Sequence, residues 1–295
     1  MDIYLNKEDS LNECLKKVKP FDIIHLYNKI YNEKIKITVP NITIIGNNSS
    51  IEYKDYYNKI HSDNKEYLTV RTYTLMIEAD DVTLINVNVK NLSVPNSIYG
   101  QAVALHVLGD NFKALNCGFY GAQDTLLSGP IPYDLTLRYK DLLPEDELTQ
   151  KKSHQYFKSC YIEGDVDFIF GCGIALFDEC EIHSIGKGYI SAPSHPKEYS
   201  YGFVFMNCNL TANENLENKV YLSRPWRDYG QAAFISCKVS SHIKSEGFHF
   251  WNQERAKTCR FYEYNTLDST NLASFAHRLN EKDLIKYTKE NILKS

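Results

Sequence analysis

No apolar run in this 295-residue chain is long enough to cross a bilayer or to serve as a secretion signal. The N-terminus, MDIYLNKEDSLNECLKKVKP, spreads acids and lysines through its whole length. The residues as written predict a cytoplasmic protein with no membrane partner, or a secreted one from which a leader has been removed. A basic excess is missing too. With 33 Lys and Arg against 37 Asp and Glu, and a formal net charge of −4, the chain lacks the positive surface that a nucleic-acid partner requires. Nine histidines occur without HExxH or other paired-ligand spacing, so no protein-bound metal is expected. The eight cysteines form no CxxC pair. A chain this large does not need disulfide staples, which leaves buried free thiols.

What is present is strand-forming. Hydrophobic residues make up 43% and charged residues 24%, with 22 Tyr and 14 Phe, the profile of a β-rich globular chain. Seven segments repeat one pattern, among them FKALNCGF (112–119), QYFKSCYI (155–162), ALFDECEI (175–182), FVFMNCNL (203–210) and AAFISCKV (232–239). Taking Asn86, Asn116, Ser159, Glu179, Asn207, Ser236 and Glu263 as markers gives steps of 30, 43, 20, 28, 29 and 27 residues. Periods of roughly 20 to 30 residues signal a solenoid. The expected fold is all-β: a right-handed parallel β-helix forming one domain over residues 1–295, monomeric, with short capping helices at both termini. Cys117, Cys160, Cys180, Cys208 and Cys237 then form an inward ladder of small hydrophobes. Ser10 and Glu13 in capping-box spacing start the first helix, and a second follows Asn280. Residues 128–153 account for the 43-residue step, as a long excursion beside the working face.

The stretch GDVDFIFG (164–171) reads as a strand that carries acids. Period-2 alternation puts Val166, Phe168 and Phe170 on one face, and Asp165, Asp167 and Ile169 on the other. Asp124 lies seven residues after Cys117, and Asp167 seven after Cys160, so the two carboxylates occupy equivalent places in successive coils, about 4.8 Å apart. Carboxylates that close resist joint ionisation, which keeps one as an acid and one as an anion. Arg224, held before Pro225, can pair with the anion, and Trp226 can stack on a sugar ring. Gln101 and Gln123 can donate hydrogen bonds to a developing oxyanion. Each has a plain structural alternative: an ion pair, a packed ring, an amide ladder along the solenoid.

Four ordered blocks, GQAVALHVLGD, NCGFYGAQDTLL, YFKSCYIEGDVDFIFG and YLSRPWRDYG, together with FYEYNT and the helical tail, resemble the pectin methylesterase family over nearly the whole chain. The resemblance implies an aspartyl esterase that removes methyl groups from the C6 carboxyls of galacturonan. Asp167 is then the nucleophile, Asp124 the general acid/base, Gln101 and Gln123 the oxyanion donors, and Arg224 the partner of Asp167. Trp226, Phe170, Tyr120 and Trp251 are placed along the sugar subsites, and no cofactor is implied beyond substrate and water. The chain departs from the pattern at Leu127, where an aromatic is common, at His154 in place of Arg, and at Ser223 in place of Gly. It also lacks the glycine usual before Tyr31. Lys151, Lys152 and Lys187 are candidates for the positive charge that a polyanion needs. Short methylated oligogalacturonides in the cytoplasm are the expected substrate. The competing readings are an acyl-CoA thioesterase, a polygalacturonase-like hydrolase, whose inverting chemistry wants carboxylates roughly 6.5–9.5 Å apart, and a carbohydrate-binding solenoid without activity.

Overall fold

Strands of three to five residues are too short to stand singly, and here they gain stability by stacking coil on coil. The computed structural model describes residues 1–268 and 270–295. Its strands pair in parallel into an eleven-stranded and a thirteen-stranded sheet. The larger sheet branches at two long strands, Tyr161–Gly171 and Glu181–Pro193. Each runs round a corner of the coil and pairs along two faces. The result is the expected parallel β-helix. Among the described residues no helix is long and apolar enough to cross a membrane.

One inward position of the eleven-stranded sheet runs Ile24, Ile44, Leu84, Ala114, Phe157, Phe177, Phe205, Phe234 on consecutive strands. The last four rings stack with centroids 4.8, 4.7 and 4.4 Å apart. The register continues to Glu263, 1% exposed, whose carboxylate accepts from the backbone N–H groups of Thr266 and Leu267 and pairs with Arg278, its partner on the last strand.

The cysteine ladder is present, and every thiol in it is free and buried. Each Sγ from Cys160 onward donates to a carbonyl of the preceding coil: Ala114, Phe157, Phe177 and Phe205, at 3.3–3.4 Å. Thr266 takes the next rung, its Oγ1 donating to the Phe234 carbonyl at 3.1 Å. The last repeat marker is therefore Asn265, not Glu263. The reason lies in the backbone. Asn86, Asn116, Ser159, Glu179, Asn207, Ser236 and Asn265 all adopt φ between 46° and 54°, a left-handed corner that short polar residues, asparagine above all, tolerate best.

The first helix, Leu11–Leu15, is capped by the Ser10 hydroxyl, which accepts from the Glu13 N–H, and it packs beside the strand Ile35–Ile37. The tail forms Glu281–Leu284, with an Asn280 capping box, and Lys289–Leu293. The final helix lies along the outer face of the eleven-stranded sheet, where Ile292 packs with Tyr156, Ile174 and Leu176. Residues 128–153 leave the coil in short helical turns at Tyr133–Leu135, Thr136–Tyr139 and Glu145–Leu148.

Candidate active site

Strand register brings the two acids together. Leu126 pairs with Ile169, so Asp124 and Asp167, each two residues earlier, hold equivalent places on neighbouring coils. Backbone bonds tie the same stretch: the Asp124 N–H donates to Val166 O and the Asp165 N–H to Ala122 O, both at 3.1 Å. Neither aspartate sits in regular strand. Their φ angles are 66° and 51°, and the pairing register shifts between Val166 and Ile169. That bulge breaks the expected alternation. Phe168 and Ile169 both enter the main core, while Phe170 turns outward beside Asp167 and meets Trp226 edge-on at 5.7 Å. The apolar and acidic residues of 164–171 are thus not sorted onto two faces; a left-handed residue at 167 resets the phase and delivers a carboxylate and a ring to the same side.

A cavity of about 360 Å³ opens there. Asp124, Asp167, Gln101, Gln123, Arg224, Phe170, Trp226 and Trp251 all line it. Arg224 Nε and Nη2 donate to the two oxygens of Asp167 at 2.8 and 2.6 Å. The guanidinium lies between the rings of Tyr189 and Trp251, 3.9 and 4.1 Å from their centroids. A planar fork held on both faces can present its edge to the carboxylate in only one way. Gln101 O accepts from the Tyr57 N–H, and Gln123 O from the Ala102 N–H. Among the described residues neither side-chain amide bonds to the protein, so both retain donors for a ligand.

Burial pushes the Asp124 carboxyl well above the usual range, helped by the charges of Asp167 and Asp165 and opposed by Arg224. Burial raises Asp167 as well, but its two bonds from Arg224 work against that. Of the two carboxyls, Asp124 is therefore the one held further toward its acid form, and Asp167 the one held toward its anion. Burial also raises Asp165, whose Oδ1 accepts from the Val166 N–H at 2.6 Å. The buried His106 and His195 are kept neutral by burial, pushed down to about 4 and about 3, and bond the carbonyls of Gly129 and Gly173. Among the described residues no cluster of three or more His, Cys, Asp or Glu side chains is arranged to hold a metal ion.

A raised acid carries a stability cost with a definite sign. Asp124 binds its proton more tightly folded than unfolded, so its favourable contribution is complete below about pH 4, the unfolded carboxylate value. It is lost as pH rises through the folded value. Asp124→Asn is expected to melt higher than wild type at neutral pH, by about 1.5 °C for each kcal/mol relieved. The gap should close as the pH is lowered towards 4. Calorimetric Tm values across that range check the prediction.

Two expectations are not met. Tyr120 does not line the cavity: its strand faces another side of the coil, where its ring packs on Tyr161 and under the Lys90 ammonium, with its hydroxyl toward Asn88. Lys151 pairs with Asp80, Lys152 donates to the Ser295 carbonyl, and neither they nor Lys187 line the cavity. Its cations are arginines instead: Arg224, Arg227 and Arg138. The excursion does flank the site, contributing Ile131, Leu135, Arg138 and Tyr139. Tyr189, which stacks on Arg224, carries no signal in its own stretch of sequence; it is placed by register, opposite Val166.

A family model described as pectinesterase matches residues 4–129 and 142–292. Among curated relatives, Pectinesterase QRT1 of Arabidopsis thaliana is 31% identical over 249 residues, covering 80% of this chain and 59% of its own length. Pectinesterase 31 of the same plant is 34% identical over 193 residues, covering 65% and 53%. The chain thus spans little more than half the length of these relatives. Of solved structures, pectin methylesterase PemA from Erwinia chrysanthemi superposes with a TM-score of 0.79 at 23% identity, covering 99% of this chain and 96% of that one. Pectin methylesterase from carrot superposes with 0.78 at 18% identity, covering 99% and 92%.

Proposed function

The chain belongs to the pectinesterase family, and on that premise we propose that it hydrolyses methyl esters at the C6 carboxyls of galacturonan fragments, with Asp167 as nucleophile. The observation that carries the proposal is the bidentate Arg224–Asp167 pair beside a buried Asp124 whose carboxyl burial pushes toward its acid form. An anion aligned by a rigid fork and an acid within one coil are the two groups that ester cleavage through an acyl-enzyme needs.

In the first half-reaction an Asp167 oxygen attacks the ester carbonyl. The oxyanion that develops is met by the unengaged amides of Gln101 and Gln123. Collapse of the tetrahedral species expels methoxide, which takes the proton of Asp124 and leaves as methanol. Asp124, now a carboxylate, draws a proton from water as the water attacks the anhydride, which frees Asp167 and returns Asp124 to its acid form. A hexasaccharide complex of a related pectin methylesterase fits a uronate-chain substrate.

The test is product identity. Methanol should be released from methylated oligogalacturonides, with no thiol from acyl-CoA and no new reducing ends from the same oligomers. Thiol or reducing-end formation as the main activity would replace the proposal with a thioesterase or a glycoside hydrolase.

The pH profile follows from the two carboxyls. Activity requires Asp167 ionised and Asp124 protonated, so kcat/KM should fall on the acid side as Asp167 takes a proton and on the alkaline side as Asp124 loses one. Because the charge on Asp165 helps hold the Asp124 proton, Asp165→Asn is expected to move the alkaline limb to lower pH. An unmoved limb would mean that Asp165 does not act on the acid.

A further inference from the structure

A second cavity, of about 350 Å³, lies apart from the cleft and shares no lining residue with it. Four rings, Tyr221, His249, Phe250 and Phe275, wall it together with one carboxylate, Glu246. Backbone bonds hold the walls in place. The His249 N–H donates to Ser223 O at 3.0 Å, which ties the loop of His249 and Phe250 to the strand of Tyr221; the Ala273 N–H donates to Glu246 O at 3.0 Å and ties in the stretch of Phe275. Tyr221 lies parallel to Tyr189 with centroids 5.4 Å apart, and His249 parallel to Phe250 at 5.0 Å. Phe250 meets Phe275 nearly at right angles, at 6.2 Å, so the aromatic wall turns a corner.

The charge in this corner is negative. Burial pushes the Glu246 carboxyl up, but its own backbone N–H and the hydroxyls of Tyr221 and Ser245 outweigh that and hold it below the usual range, as an anion. The two hydroxyls each donate to one of its oxygens at 3.2 Å. Among the described residues no cation pairs with it. Lys257 is taken by Glu254 and Arg255 by Asp228. Lys244 Nζ lies over the Tyr221 ring, 5.0 Å from its centroid, without lining the cavity. Burial and the charge of Arg224 hold His249 toward its neutral form, so it adds no compensating charge.

Ring faces beside an uncompensated carboxylate are complementary to an organic cation. A primary ammonium brings three N–H donors, while both Glu246 oxygens already accept a hydroxyl. A quaternary ammonium brings none; its charge is spread over methyl groups that rest on ring faces without hydrogen bonds. We propose that this cavity is a binding site for a small, free quaternary ammonium ion, separate from the esterase cleft and independent of the reading given for that cleft.

Calorimetric titration of choline chloride into the intact chain, at constant ionic strength, tests the site. Wild type should bind choline with a Kd on the order of a millimolar, and its neutral isostere dimethylbutanol, with carbon in place of the nitrogen, at least about tenfold more weakly. Glu246→Gln keeps the size of the side chain and removes the charge, and should weaken choline binding about tenfold. Phe250 is 36% exposed, so Phe250→Leu removes a ring without opening the core, and should weaken binding severalfold even if Glu246→Gln does not fold. Lys244→Gln removes a competing charge and should tighten binding by about twofold. Asp167→Asn should bind choline as wild type does; a loss there would place the ion in the cleft and overturn the proposal. Equal affinity for choline and its isostere, an unchanged Kd in Glu246→Gln and Phe250→Leu, or tighter binding of ethanolamine than of choline would overturn it as well. Glu246 opposes the phosphate of a lipid headgroup, so the protein should stay in solution beside phosphatidylcholine vesicles; sedimentation with them would assign the site to a lipid and overturn the free-ion assignment.

Discussion

Asp167→Asn is expected to lower methanol release from methylated oligogalacturonides by roughly four orders of magnitude or more, the scale of losing a nucleophile whose partners remain in place. The replacement keeps the shape of the side chain but removes the anion. Its amide NH2 also faces the N–H groups of Arg224, so that one of the two bonds at 2.8 and 2.6 Å becomes a donor against a donor. Breaking a buried ion pair from one side typically costs about 3–5 kcal/mol. Here the cost should be smaller, because Arg224 keeps 20% of its side chain exposed and remains held between two rings. The folded variant can therefore be assayed. Asp124→Asn should lose roughly 10²–10⁴-fold, less than the nucleophile, and should melt higher rather than lower at neutral pH. That opposite movement of stability separates the two acids even where both variants are nearly inactive. Methanol assays paired with melting curves read both quantities. More than about a tenth of wild-type activity in Asp167→Asn would place the nucleophile elsewhere.

Why the two acids could be found from sequence while their neighbours could not is a matter of what a repeat encodes. Asp124 and Asp167 stand at the same offset from Cys117 and Cys160, and a solenoid turns equal offsets into neighbouring positions. The corner residues are legible for a related reason, since a left-handed φ leaves a polar residue, Asn, Ser or Glu, just before each inward thiol. The repeat pattern points to Glu263 rather than Asn265 because the last coil replaces cysteine with Thr266, and without the sulfur the spacing falls two places early. Alternation failed at 164–171, where the left-handed Asp167 inserts a bulge that a period-2 count does not detect. Tyr120 shows a different limit: a coil has several outward faces, and an aromatic on one of them reads the same as an aromatic on the face with the cleft. Arg138 and Tyr189 reach the cavity through the packing of the excursion and through cross-strand register, neither of which leaves a local pattern.

Phe177→Ala should be the most destabilising single change in the coil. Its ring is fully buried and lies between Phe157 and Phe205, at interplanar angles of 16° and 10°. Phe203 meets it edge-on at 6.3 Å. Truncating a buried phenylalanine costs about 3–5 kcal/mol, from lost transfer energy and the cavity left behind. Rigid stacked neighbours cannot close that gap, so the upper half of the range applies. At the usual unfolding entropy per residue, a chain of this length should lose roughly 6–8 °C in Tm. Phe177→Leu should cost far less, because it refills most of the volume. The position of the residue also shapes the effect. A solenoid is stabilised by contacts between successive coils, and Phe177 joins the coil of Phe157 to that of Phe205. Losing it weakens the junction between the coils that carry Asp124 and Asp167 and those that carry Arg224. Hydrogen exchange should then rise over Ile174–Asp178 and Phe203–Met206 while Ile23–His25 and Thr43–Ile45, several coils away, stay protected. Uniform loss of protection along the chain would instead mean that the coils unfold as one unit.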